Sequence, residues 1–185
     1  LFSAGKRSST KAYCENRIDK GLSEALMLKR AKFTLYLVQE SDTFGKDSEL
    51  ASTLAQGKPV IAFVPNGDKK FVDELLNELE RLNPNISAQE RILNQLQIFN
   101  PNLAWELDRA SIREWISKPT LAPIDELKKI LYTEVEAKYN NRARTLKETH
   151  PLGIQVSLNT GVANGVLVVR TIEECSRLIE AILLN

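Results

Sequence analysis

FTLYLVQESDTFGKDSELASTLAQGKPVIAFV, residues 33–64, holds two apolar runs with one helical pattern between them. Phe33–Val38 is a short aromatic and β-branched run with no break, and it reads as a buried strand. Gln39–Lys46 is polar and contains Gly45, as a loop does. Asp47 reads as a helix N-cap, with Glu49 in the first turn, where a carboxylate favours the helix dipole. Leu50, Ala51, Leu54 and Ala55 then share one helical face. Gly57 suits the position just past the helix end. Lys58-Pro59 leads into the second run, Val60–Val64, which Pro65 closes. Strand, loop, helix, tight turn and strand make a βαβ unit. It predicts an α/β protein with a parallel sheet and a right-handed crossover.

Upstream, Ile18, Leu22, Ala25 and Leu26 fall at helical spacing between Lys11 and Ala31, and Leu1–Thr10 reads as a small, polar, basic loop. Downstream of Pro65-Asn66-Gly67-Asp68 the pattern is helical for about 80 residues. Phe71–Leu82 is amphipathic, and Ser87–Glu90 and Ser111–Glu114 read as capping boxes that each open a helix. A long helix is expected from Pro123 and Ile124 to about Lys147, with Leu127, Ile130, Leu131 and Val135 as its apolar stripe. Its charged faces suit either solvent or a partner helix. Trp105 and Trp115 are expected in the core, and His150-Pro151 reads as a helix stop.

Strand character returns at the end. Ile154, Val156 and Leu158 alternate with polar residues, Asn159–Gly165 reads as a Gly/Asn loop, and Val166–Val169 reads as a buried strand. Thr171–Glu174 is a third capping box, and it opens a helix with Ile172, Cys175, Leu178, Ile179 and Ile182 inward. The expected organisation is one α/β domain over residues 1–185. Its core is 11–68 and 151–185, with a helical insert at about 69–150.

Of the 185 residues, 43% are hydrophobic and 26% charged, the balance of an ordinary soluble domain. Lys and Arg number 25 against 24 Asp and Glu, a net charge of +1, so nothing drives binding to nucleic acid. No apolar run approaches the roughly 18–20 residues a membrane helix needs. Cys14 and Cys175 lie far apart without a pairing pattern, as in a reduced, cytoplasmic protein. His150 is the single histidine, which leaves no Cys/His zinc set and no Ser–His–Asp triad with a spare. The expectation is therefore no metal and no resident cofactor, with any chemistry on carboxylates, hydroxyls and backbone amides. The Gly5–Thr10 stretch echoes a phosphate loop but lacks its first glycine at the right spacing and a preceding strand. Beginning at Leu1 with Met27 as its one methionine, the sequence reads as a piece of a longer protein.

Open parallel sheets bind ligands beyond the carboxyl ends of their strands. That rule places Gln39–Lys46, Pro65–Asp68 and the start of the Asp47 helix at a crevice. A carboxylate there can hydrogen-bond a ribose diol. It can also stabilise or attack the oxocarbenium ion formed when an N-glycosidic bond breaks, the logic glycosidases use. Glu49 is the candidate catalytic carboxylate, and Ser41, Asp42, Phe44, Asp47, Ser48 and Asn66 are the candidate substrate contacts, Phe44 by stacking on a ring. The plainer alternative is that Glu49 decorates a helix start and Asp47 merely caps it.

Residues 21–64, GLSEALMLKRAKFTLYLVQESDTFGKDSELASTLAQGKPVIAFV, resemble the central part of TIR-type domains and of nucleoside 2-deoxyribosyltransferase-like proteins. The shared features are a helix, a strand ending in a polar loop with serine (Ser41), a helix carrying Glu before an apolar residue (Glu49-Leu50), and then GKPVI. The resemblance implies a flavodoxin-like, TIR- or Rossmann-like sheet. It implies hydrolysis of the N-glycosidic bond of NAD or a related nucleotide, with NAD as substrate, Glu49 as the catalytic group, and an association with bacterial antiphage defence. A similar ELA…GKPVI pattern occurs in the SLOG group, which senses nucleotides without catalysis. Two functions stay open: an N-glycosidase, or a non-catalytic nucleotide-sensing or self-assembly module. In both, the partner is a small nucleotide, with a homo-oligomer or further domains of the same chain as the other expected partners.

Overall fold

The computed structural model describes residues 17–40, 44–105, 110–148, 155–158 and 161–184. The helix read around Leu22 is α1, Arg17–Arg30. The βαβ unit follows as β1, Thr34–Leu37, then α2, Phe44–Ala55, then β2, Val60–Phe63. Helices α3 (Lys69–Leu82), α4 (Ala88–Phe99), α5 (Ala110–Ser117) and α6 (Ile124–Glu148) come next. Strands β3 (Gln155–Leu158), β4 (Gly161–Asn164) and β5 (Val166–Val169) and helix α7 (Ile172–Leu184) complete the described chain. The protein is mixed α/β, and none of these helices is long and apolar enough to cross a membrane.

Strand β2 lies at the centre of a three-stranded sheet of order β1-β2-β5, parallel on both sides, with Thr34 opposite Val60 and Val60 opposite Val166. Being flanked on both edges explains why VIAF is apolar throughout, and Val60, Ile61 and Ala62 are fully buried. Strand alternation then sorts residues to two faces. Tyr36, Val38, Val60, Ala62 and Val64 enter a large core with Leu50 and Leu54 of α2, Val72 of α3, Leu96 of α4, and Leu127, Leu131 and Tyr139 of α6. Ile61 and Val169 meet Cys175 and Ile182 of α7 on the other face. Burial pushes the Cys175 thiol pKa up.

Several local signals act as expected. Gly57 takes φ +69 just after α2. Both bonds of the Ser87–Glu90 box are made. At α7, Glu174 N–H donates to Thr171 Oγ1 and Thr171 N–H to Glu174 Oε2, each over 3.2 Å.

Five expectations are corrected. Ile172, read as inward on α7, is 71% exposed. Helix α2 begins at Phe44, so Asp47 is not its N-cap and Glu49 lies in its second turn; the Asp47 carboxylate is bonded to groups outside its own helix. Ser111 lies inside α5 and is not its cap. The alternating strand near Val156 does not join the parallel sheet. It pairs antiparallel with β4, which falls within the stretch read as a loop. Trp105 is 77% exposed, because it ends a short 3-10 turn, Leu103–Trp105, in which Leu103 takes the buried place. Cys14, His150 and Ile154 lie outside the described residues.

Tyr132 of α6 donates to Asp73 Oδ1 of α3 over 2.7 Å. Burial, then the Asp73 carboxylate, pushes the Tyr132 pKa up to about 12. The folded state keeps this proton longer than the unfolded chain does. The stability it contributes is complete below about pH 10 and is lost as pH rises towards 12. An ultraviolet tyrosinate titration is expected to show a late component near pH 12, absent from Tyr132→Phe.

Candidate functional site

A cleft of about 480 Å³ opens beyond the carboxyl end of β1. One wall is Val38, Gln39 and Glu40, which continue β1; the opposite wall is α6, with Ile98 and Pro101 closing the side. Lys138, Asn141, Arg142 and Thr145 of α6 line it, at i, i+3, i+4 and i+7, so one helical face supplies them all. Tyr139 also lines it. That ring is 2% exposed and held edge-on by Phe71 and Phe99, at centroid distances of 5.5 and 5.9 Å.

The two basic groups are anchored. Lys138 Nζ donates to the Ile98 carbonyl over 3.0 Å and stands 5.2 Å from the Phe99 ring centroid. Arg142 Nη2 donates to the Tyr36 hydroxyl over 2.8 Å and lies 3.3 Å from Asp47 Oδ1, and the Tyr36 hydroxyl donates to the same Asp47 oxygen over 3.1 Å. This Tyr36–Arg142–Asp47 triangle ties the sheet, α2 and the helical segment together at the mouth of the cleft. Lys46 Nζ donates to the Leu37 carbonyl over 3.2 Å and to Gln39 Oε1, which fixes the end of β1.

The loop after β2 is clamped to the same helix. Gly67 has φ +64, and a Cβ there would lie 2.8 Å from Tyr139 Cδ2 and 3.0 Å from the Val135 carbonyl oxygen. Arg170, which follows β5, donates from Nη2 to the Pro65 carbonyl over 2.9 Å and to Asn140 Oδ1 over 3.0 Å. Burial pushes the Arg170 pKa down. The carboxyl ends of β2 and β5 are thus both held against α6.

No known protein family, curated protein or solved structure matches the chain. Ser41 and Asp42 lie outside the described residues, and Phe44 is the first residue of α2. Asp47 meets the cleft through Arg142. Ser48 and Asn66 are exposed, and neither lines the cleft. Glu49 is half-buried and also stands outside the cleft lining; its carbonyl accepts from Thr53 Oγ1 over 2.9 Å. The α6 residues were not among the sequence candidates. Their one signal was the polar spacing of 138, 141, 142 and 145, which a solvated helix face shows equally well. Among the described residues, no group of three or more His, Cys, Asp or Glu side chains is placed to hold a metal ion.

Chemically, the cleft lining offers the Glu40 carboxylate, the Gln39 and Asn141 amides, the Thr145 hydroxyl, the Lys138 and Arg142 cations, and apolar surface from Val38, Ile98 and Pro101. That is a binding inventory. A carboxylate accepts hydroxyl donors, cations take an anion, and the apolar patch takes a ring face.

Proposed function

We propose that the chain is a nucleotide-binding α/β domain whose ligand occupies this cleft. The observation that carries the reading is the position of the cleft at the carboxyl end of a parallel strand, where α/β sheets hold nucleotides. Its mixed lining supports the same class of ligand. Glu40 and Gln39 suit ribose hydroxyls, and the apolar wall suits a base. The flavodoxin-like reading of the sheet belongs to this proposal, since β1–α2–β2 is the unit such folds place beside their crevice.

The position of Glu49 supports binding over N-glycosidic cleavage. A catalytic carboxylate must reach the reacting carbon, and Glu49 stands on α2 outside the cleft lining. Binding without cleavage is therefore the reading favoured here. Calorimetric titration with ribonucleosides, their 5′-monophosphates and NAD, beside chromatography for free nicotinamide, tests it. Saturable binding with no nicotinamide released is expected. Nicotinamide release that disappears in Glu49→Gln would overturn it in favour of the TIR-like hydrolase. No binding of any of these compounds would overturn nucleotide recognition itself.

A further inference from the structure

Lys138 and Arg142 are one helical turn apart on α6, about 6 Å along its axis. Both line the cleft, and both are tethered, Lys138 by the Ile98 carbonyl and Arg142 by Tyr36 and Asp47. Tethering matters because a free Lys or Arg loses considerable rotamer freedom when it grips a ligand. Glu40 faces them from the end of β1 and makes that end of the cleft unfavourable for an anion.

We infer that α6 binds the phosphate of the ligand, so that the cleft selects a nucleoside 5′-monophosphate or larger phosphorylated nucleoside over the bare nucleoside. This rests on the nucleotide reading of the same cleft. The polarity fixes the ligand's direction. The phosphate lies against Lys138 and Arg142, and the ribose hydroxyls point to Glu40 and Gln39. Lys138 supplies a compact charge, and Arg142, whose Nη2 is already bonded to Tyr36 and Asp47, adds its delocalised charge one turn away. Asp47 pairs with Arg142 Nη2 over 3.3 Å and holds the side chain in place. Nucleotide selection thereby depends on α6 as much as on the βαβ unit.

The test is calorimetric titration of the whole chain with the four ribonucleoside 5′-monophosphates and the four matching nucleosides, at low and at physiological salt. At least one monophosphate is expected to bind about tenfold or more tightly than its nucleoside, with the difference shrinking as salt rises. Lys138→Gln is expected to weaken that monophosphate about tenfold and its nucleoside less than about threefold, and Arg142→Gln, which also breaks the bonds to Tyr36 and Asp47, is expected to weaken both, the monophosphate more. Should Arg142→Gln fail to fold by circular dichroism, Lys138→Gln alone carries the test, since its tether is to a backbone carbonyl. Equal binding of nucleoside and monophosphate, or a neutral Lys138→Gln, overturns the phosphate assignment and leaves nucleotide recognition standing. Absence of binding to every compound overturns the underlying reading and this inference with it.

Discussion

Gly67→Ala is expected to destabilise the fold by about 3 kcal/mol. Two costs add. The backbone at Gly67 has φ +64, which an L side chain adopts at about 1 kcal/mol above glycine. The new Cβ would also lie 2.8 Å from Tyr139 Cδ2 and 3.0 Å from the Val135 carbonyl oxygen, so ring and helix must both give way. Overpacking of this kind costs about 1–3 kcal/mol. The substitution separates the loop after β2 from α6, and α6 is one wall of the cleft. Urea unfolding followed by circular dichroism measures the loss. A change below about 1 kcal/mol would mean that the loop is not pressed on α6 as described. Weaker ligand binding is expected alongside, because the β1 and α6 walls would no longer hold their spacing.

The central βαβ unit was legible because its signals are local. Two unbroken apolar runs, one helical face and a glycine at the turn specify it within 32 residues, and β1, α2, β2 and the φ of Gly57 follow. The capping boxes at Ser87 and Thr171 were legible for the same reason, since each is a four-residue device. The start of α2 was misplaced because Asp47 has the side chain of a cap. Its oxygen is instead bonded to Tyr36, 11 residues before it, and to Arg142, 95 residues after it. No pattern within α2 announces an arginine that far along the chain. The cleft was hidden for the same reason. The polar face of α6 becomes a cleft wall only when β1 ends against it, and sequence periodicity cannot distinguish that wall from a solvated face. The crevice rule located Gln39 and Glu40, which follow directly from β1, but it favoured Glu49, whose position depends on where α2 begins.

Tyr139→Ala is expected to cost about 4 kcal/mol, the larger of the two effects. The ring is 2% exposed, packs edge-on against Phe71 and Phe99, and touches the space where Gly67 has no side chain. Removing it leaves a cavity between α3, α4 and α6 that stiff backbone elements cannot collapse to fill. Tyr139→Phe keeps the ring and is expected to stay within about 1.5 kcal/mol of the parent. The pair with Gly67 then gives a sharper test than either substitution alone. Taking away Tyr139 removes the nearest obstacle to an alanine at 67, but the φ and the Val135 carbonyl remain. Gly67→Ala in the Tyr139→Ala background is therefore expected to cost about 1–2 kcal/mol, against about 3 in the parent, a coupling of 1 kcal/mol or more between contacting residues. Strict additivity in that double-mutant cycle would show that ring and loop do not meet. The coupling also bears on how α6 forms a wall of the cleft. Its buried edge is locked onto the loop after β2 through Tyr139, so the face carrying Lys138 and Arg142 is held at a fixed distance from the end of β1.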